Sequence, residues 1–80
     1  MNEYIGTFHT HLSALMTSRK LTSMGLMARM MPVPRKLSSS CGTCVYYKAD
    51  HPHLDIMDED VEGVYQVIGK EEYSTLMENA

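Results

Sequence analysis

Residues 4–25 read YIGTFHTHLSALMTSRKLTSMG, a strand pattern that passes directly into a helix pattern. Residues 4–9 alternate and include aromatic and β-branched side chains, which is typical of a strand. Thr10 is a good N-cap for a helix over residues 11–24, and Gly25 ends it where a left-handed residue is usually needed. The apolar residues near helical spacing predict one apolar face on this helix: Leu12, Leu15, Met16, Leu21 and Met24.

The rest of the chain adds mainly strand patterns. These patterns cover residues 26–33, 44–49, 61–68 and 71–77, and the last could also be a short helix. Pro52 permits a first helical turn, so residues 51–58 predict a short second helix. The order β-α-β-β-α-β is typical of a split βαβ unit. We therefore expect an α+β, ferredoxin-like fold, with a small antiparallel sheet, one main helix and a short second helix.

Size and charge limit the class of protein. Eighty residues predict a single domain, residues 1–80, with one small core. A net charge of -3 argues against nucleic acid as a partner, since phosphate binding needs a basic face. No apolar run is long enough for a membrane span, and a signal-peptide pattern is not recognisable, so we expect a cytoplasmic protein without a membrane partner.

Residues 31–44, MPVPRKLSSSCGTC, contain the only two cysteines, Cys41 and Cys44, in a CxxC. A thiol reacts as thiolate, and cations, N–H groups and hydroxyls stabilise that form. Cys41 lies in the predicted loop and is the reactive candidate, whereas Cys44 opens a strand and could resolve a persulfide on Cys41. The candidate thiolate-stabilising residues surround this pair: Arg35, Lys36, Ser38, Ser39, Ser40, Gly42 and, as a proton donor from the first strand's end, His9.

Two other kinds of site remain open on the residues alone. A zinc-binding interaction module would use Cys41 and Cys44 with histidines, namely His9, His11, His51 and His53. A dithiol redox module would use the CxxC by itself. Solvated loop histidines are the simpler interpretation of His51 and His53. The five carboxylates in residues 55–62 predict a solvated acidic face or a docking patch for a basic partner.

The sequence resembles a family of small bacterial proteins over nearly its whole length. The similarity lies in MPVPRKLSSSCG, preceded by YIGTFHTHLSALM and followed by an EGVYQV strand. This family, first described as the domain of unknown function DUF3343, is labelled putative Se/S carrier protein-like. The matching positions are Pro32, Val33, Pro34, Arg35, Ser38, Cys41 and Gly42, with Phe8 and His9 at the end of the first strand.

The resemblance implies a thiol carrier in which Cys41 holds sulfur or selenium as a persulfide or perselenide. Such a protein is a non-catalytic carrier rather than an enzyme and needs no cofactor. Its partners would be chalcogen donor and acceptor proteins, such as a cysteine desulfurase-type donor, and a sheet edge could also give a homodimer. Cys44 stands where relatives often have an apolar residue, so a dithiol mechanism is available but not required. Residues 50–60 are also shorter than the full second helix of relatives.

Overall fold

The computed structural model describes residues 1–79, which form one antiparallel sheet and one α-helix. The elements are β1 Asn2–Phe8, α1 His11–Ser23, β2 Met27–Pro32, β3 Thr43–Ala49, a 3₁₀ turn Leu54–Ile56, β4 Val61–Gly69 and β5 Glu72–Glu78. The α+β class and antiparallel sheet are therefore confirmed, and residues 72–78 are a strand rather than a helix. The predicted second helix over 51–58 is wrong, because only one three-residue turn forms there.

The five strands lie in the order β2-β3-β1-β4-β5, and all neighbours pair antiparallel. Since β3 pairs antiparallel with both β1 and β2, those two strands run parallel to each other with α1 as their connection. The end of β1 therefore meets the start of β3 and the start of β4. This end of the sheet holds the cysteine-bearing loop, which links β2 to β3.

Helix α1 packs on one face of the sheet and buries a core between them. Thr10 caps it as predicted, since its side chain accepts a hydrogen bond from the Ser13 amide at 3.2 Å. The core combines aromatic and aliphatic side chains from the helix and the three strands β1, β3 and β4. Its most buried members are Tyr4, Phe8, Ala14, Leu21, Val45, Tyr47, Ala49, Val61 and Val64.

The helix turns a different face inward from the one predicted. Its buried residues are Ser13, Ala14, Thr17 and Leu21, while Leu12, Met16 and Met24 are exposed. Of the five predicted apolar positions, only Leu21 is fully buried. The polar residues are tolerated inside because the segment after the 3₁₀ turn supplies partners. The Ser13 hydroxyl donates to the Asp58 carboxylate at 2.7 Å, and the Asp58 amide donates to the Thr17 hydroxyl at 3.4 Å.

Within residues 1–79 the structure contains no helix that could span a membrane. The single helix has 13 residues, which is too short to cross a bilayer, and no stretch of helix is sufficiently long and apolar.

Candidate functional site

Two tight turns shape the loop between β2 and β3. The Leu37 amide donates to the Pro34 carbonyl at 3.0 Å, so Arg35 and Lys36 form the exposed tip of the first turn. In the second turn the Gly42 amide donates to the Ser39 carbonyl at 3.2 Å. Gly42 has φ +74°, a left-handed conformation that glycine adopts without strain. Ser40 and Cys41 are therefore the two central residues of this second turn.

The Cys41 thiol is half-buried and faces backbone carbonyls. Its Sγ lies 3.4 Å from the Phe8 oxygen and 3.5 Å from the Thr43 oxygen, as a donor to either. The Ser39 hydroxyl donates to the same two carbonyls, at 2.9 and 3.2 Å, and its Oγ lies 3.6 Å from Sγ. This arrangement holds the neutral thiol in place, because a thiol can donate to a carbonyl and a thiolate cannot.

Ser40 fixes the other side of the turn to β4. Its amide and hydroxyl donate to the two oxygens of the Glu62 carboxylate, at 2.9 and 2.6 Å. His9 completes the cluster, with Nδ1 3.4 Å from both the Glu62 carboxylate and the Ser40 hydroxyl. We call Ser40, Glu62 and His9 the latch. It ties the cysteine loop to the end of β1 and the start of β4.

The latch carboxylate favours its ionised form. Burial by itself raises the pKa of the Glu62 carboxyl, but the hydrogen bonds from Ser40 and the charge of His9 outweigh burial. The net result is a pKa below the ordinary value for glutamate. Glu62 is therefore a charged acceptor at neutral pH, which strengthens its bonds to the loop.

Cys44 has the opposite environment from Cys41. It lies within β3, paired with Thr7 of β1 and Met31 of β2, and its side chain is fully buried. Its Sγ lies 3.7 Å from the Pro32 carbonyl. Burial, followed by the nearby charge of Cys41, raises the pKa of the Cys44 thiol to about 11. Both cysteines are free thiols.

The structure brings together only some of the residues that the sequence indicated. Ser39, Ser40 and His9 lie at the Cys41 turn, and Gly42 shapes it. The Gly42 amide donates to the Ser39 carbonyl within the turn and not to the sulfur. Arg35, Lys36 and Ser38 are exposed, and the contacts of residues 1–79 include no hydrogen bond from them to Cys41. Lys36 instead lines an open groove of about 440 Å³ beside Tyr65 and Tyr73.

Two histidines of the zinc alternative, His51 and His53, lie far from the cysteines. His51 and His53 follow the end of β3, whereas Cys41 precedes its start and Cys44 is its second residue, so a strand length of about 16 Å or more separates these histidines from the cysteines. Their rings stack on each other with centroids 3.9 Å apart. Within the described part of the chain, no group of three or more His, Cys, Asp or Glu side chains could hold a metal ion. The structure therefore offers no support for that alternative.

Glu62 is the site residue that sequence reasoning missed. By sequence it belongs to the acidic run, of which Asp58 and Asp60 accept hydrogen bonds from Ser13 near the start of α1. The usable signal was its place at the start of a predicted strand. Had β1 been paired with that strand, a carboxylate at its start would have met His9 at the end of β1.

Comparison with known proteins places the chain in a family. The model of the family described as "Putative Se/S carrier protein-like" matches residues 3–76. The chain is also 30% identical over 46 residues to the "Uncharacterized protein YtiA" of Escherichia coli (strain K12), which covers 58% of this chain and 54% of that protein. The chain thus spans about half the length of this curated relative. No solved structure matches. Because the family model covers nearly the whole sequence, the chain belongs to the putative Se/S carrier protein-like family.

Proposed function

We propose that this protein carries sulfur or selenium on Cys41, as a persulfide or perselenide, from a donor protein to an acceptor protein. The observation behind the proposal is the position of the Cys41 thiol at the centre of a turn, half-exposed and fixed by Ser39 and the latch. A carrier needs one accessible sulfur on a rigid support, and Cys44 is not accessible. The family description supports the same chemistry.

The loading step is a nucleophilic exchange without net oxidation. The Cys41 thiolate attacks the outer sulfur of a donor persulfide, R–S–SH, whose S–S bond breaks while a new S–S bond forms on Cys41. The inner sulfur of the donor leaves as the thiolate R–S⁻, and Cys41 holds the persulfide. Unloading repeats the exchange, with an acceptor nucleophile attacking the outer atom and Cys41 leaving as thiolate. Selenium would move in the same way through a selenium–sulfur bond.

Ser39 and His9 suit the loaded form. An ionised persulfide cannot donate to the Phe8 and Thr43 carbonyls, so its outer atom would turn away from them. The Ser39 hydroxyl, 3.6 Å from Sγ, can rotate from a carbonyl toward the sulfur and donate to it. His9, when protonated, adds a positive charge at the same edge of the turn.

Cys41 acts alone in this proposal. The raised pKa and complete burial of Cys44 leave little thiolate to attack a persulfide at neutral pH. We also propose a reducing, cytoplasmic setting, in which Cys41 stays available as a thiol, and a cofactor-free reaction with protein partners. The parallel β1 and β2 around β3 favour a ferredoxin-like, split βαβ arrangement with an added edge strand.

Mass spectrometry of the intact protein tests the proposal. The reduced protein is incubated with a cysteine desulfurase and L-cysteine, or with a selenocysteine substrate, and the mass gain of one sulfur or selenium is measured. We expect the gain in the wild-type protein and in Cys44→Ala, and none in Cys41→Ser. Cys44→Ala is the matched control because it removes the other thiol of the same motif.

Two results would contradict the proposal. One is an adduct that persists in Cys41→Ser. The other is stoichiometric zinc in protein purified without added metal, lost on substitution of either cysteine, which would favour the interaction module instead.

A further inference from the structure

We propose that the outer face of α1 docks the protein that exchanges chalcogen with Cys41, and that this partner presents an apolar groove bordered by carboxylates. This inference rests on the proposed function and names the surface and the partner chemistry that it requires. The outer face is defined here by Leu12, Leu15, Met16 and Arg19.

The outer face is more apolar than a solvated helix face normally is. Leu12 is 63% exposed and Met16 is 45% exposed, while Leu15 between them is half-buried. Their spacing of i, i+3 and i+4 is that of the anchor residues of a helix that binds in a groove. Large apolar side chains clustered on one exposed helix face indicate an interaction surface, whereas scattered ones do not.

The orientation of the helix is fixed from its inner side. Ser13 and Thr17 face inward, where Asp58 and Asp60 bind them through hydrogen bonds. Rotating α1 to bury Leu12 and Met16 would break these bonds and expose Leu21, which is fully buried. The apolar outer face is therefore built into the fold, since its alternative would separate the half-buried Asp58 and Asp60 carboxylates from the Ser13 donor.

The charge of α1 selects an acidic partner. The helix sequence HLSALMTSRKLTS contains Arg19, Lys20 and His11 and no acidic residue, although the whole chain has a net charge of -3. Arg19, Lys20 and His11 are all exposed. A groove with carboxylates at its border would pair with Arg19 and Lys20 while its apolar floor receives Leu12 and Met16.

The size of the face favours a transient protein partner over a second copy of this chain. Thirteen helical residues span about 20 Å, and a helix is about 10 Å wide, so the footprint is on the order of 200 Å². A stable interface of standard size buries about 800 Å² on each partner. A brief complex that forms and dissociates at each transfer needs no more than a small interface, whereas a permanent dimer does.

The outer face begins close to Cys41. The Phe8 carbonyl that accepts from the Cys41 thiol lies four residues before Leu12, a stretch of chain no longer than about 14 Å. Both Cys41 and the first turn of α1 lie at the end of the sheet where β1 finishes. A partner bound on Leu12 and Met16 can therefore reach the sulfur.

The test compares a protein donor with a small-molecule donor. Sulfur loading of Cys41 is timed by mass spectrometry, first with a cysteine desulfurase persulfide and then with glutathione persulfide. We expect Leu12→Gln and Met16→Gln to slow loading from the desulfurase about tenfold and to leave loading from glutathione persulfide unchanged. Met27→Gln is the matched control, because Met27 is also 45% exposed but lies on edge strand β2. It should behave as wild type with both donors.

The outcomes separate the two proposals. Equal desulfurase rates for wild type and both helix variants would overturn the docking inference, as would loading of wild type by glutathione persulfide but not by the desulfurase. Failure of wild type to gain sulfur from either donor would overturn the proposed function instead. Arg19→Glu should also slow the desulfurase reaction and weaken its dependence on salt concentration; an unchanged salt dependence would refute the acidic partner.

Discussion

Only two residues separate Cys41 from Cys44, yet the two thiols differ in the properties that govern thiol chemistry. Cys41 lies in a turn within reach of the Ser39 hydroxyl, and Cys44 lies within the central part of a sheet with its thiol directed to the Pro32 carbonyl. The strand boundary at Thr43 separates the two thiols: Cys41 precedes it in the loop, whereas Cys44 lies inside β3, flanked by β1 and β2, with a fully buried side chain. The motif therefore contains one accessible thiol and one buried thiol.

At the same scale, the latch predicts a pH dependence of stability. The pKa of Glu62 is lower in the folded protein than its ordinary value of 4.5, so its ionised form stabilises the fold above about pH 4.5. That contribution is lost as the pH falls through the lower, folded-state pKa. We expect Glu62→Gln to reduce the free energy of unfolding by about 1 kcal/mol at pH 7, and by progressively less below pH 4.5. Urea unfolding across this pH range measures the difference.

Asp55→Asn is the control for this prediction. Asp55 is an exposed carboxylate of the same acidic run and lies outside the latch. Its substitution should change the free energy of unfolding by less than about 0.5 kcal/mol at both pH 3 and pH 7. A Glu62→Gln effect as large at pH 3 as at pH 7 would contradict the assigned role of the carboxylate.

At the scale of the elements, the sequence predicts whether a segment is a helix or a strand better than it predicts which face of that element is buried. Periodicity correctly places α1 and the strands to within a few residues, because alternation and capping are local signals. It fails on the buried face of α1. Nothing local shows that Asp58 and Asp60, more than forty residues away, supply partners for Ser13 and Thr17. The second helix fails for a related reason, since the segment after β3 reaches the start of α1 without a helix.

The same limit applies to the candidate site. The turn around Cys41 follows from Gly42 and the serines, so sequence alone finds Cys41, Ser39 and Ser40. Glu62 joins the site only because β1 pairs with β4, and that pairing belongs to the tertiary structure, which local sequence does not show. Conversely, Arg35 and Lys36 are close to Cys41 in sequence but form the tip of a separate turn. Proximity along the chain overestimated their role.

The inward polar face of α1 predicts a specific loss of stability. The Ser13 hydroxyl lies 2.7 Å from the Asp58 carboxylate and 3.1 Å from that of Asp60. Ser13→Ala removes this donor and should lower the free energy of unfolding by about 1–3 kcal/mol. Ser18→Ala, at a half-exposed position of the same helix, involves the same change in helix propensity without a carboxylate partner. Equal stability of the two variants in urea unfolding would refute the role of Ser13.

At the scale of the whole molecule, the site depends on how the sheet brings distant segments together. Cys41 precedes β3, His9 follows β1, and Glu62 lies in β4, so three strands that are neighbours in space each supply one part. The central strand β1 contributes twice, through His9 and through the Phe8 carbonyl. A small domain can fix a reactive turn in this way without a large cavity, because adjacent strand ends provide the rigid support.

Burial of Cys44 in the centre of this sheet predicts how stability changes at alkaline pH. Its thiol has a pKa of about 11 when folded and an ordinary value of 9.0, so between these values the unfolded chain loses a proton that the folded protein keeps. Stability must therefore fall as the pH rises through this window, by at most about 1.4 kcal/mol per pH unit.

The variant Cys44→Ala lacks the thiol. Its free energy of unfolding in urea should therefore fall less steeply than that of the wild type from pH 8 to 10.5 under reducing conditions. Tyr47, whose pKa burial also raises, is present in both proteins and cancels in the comparison. Parallel pH profiles for the two proteins would show that Cys44 ionises as freely in the fold as in the unfolded chain, contrary to its burial.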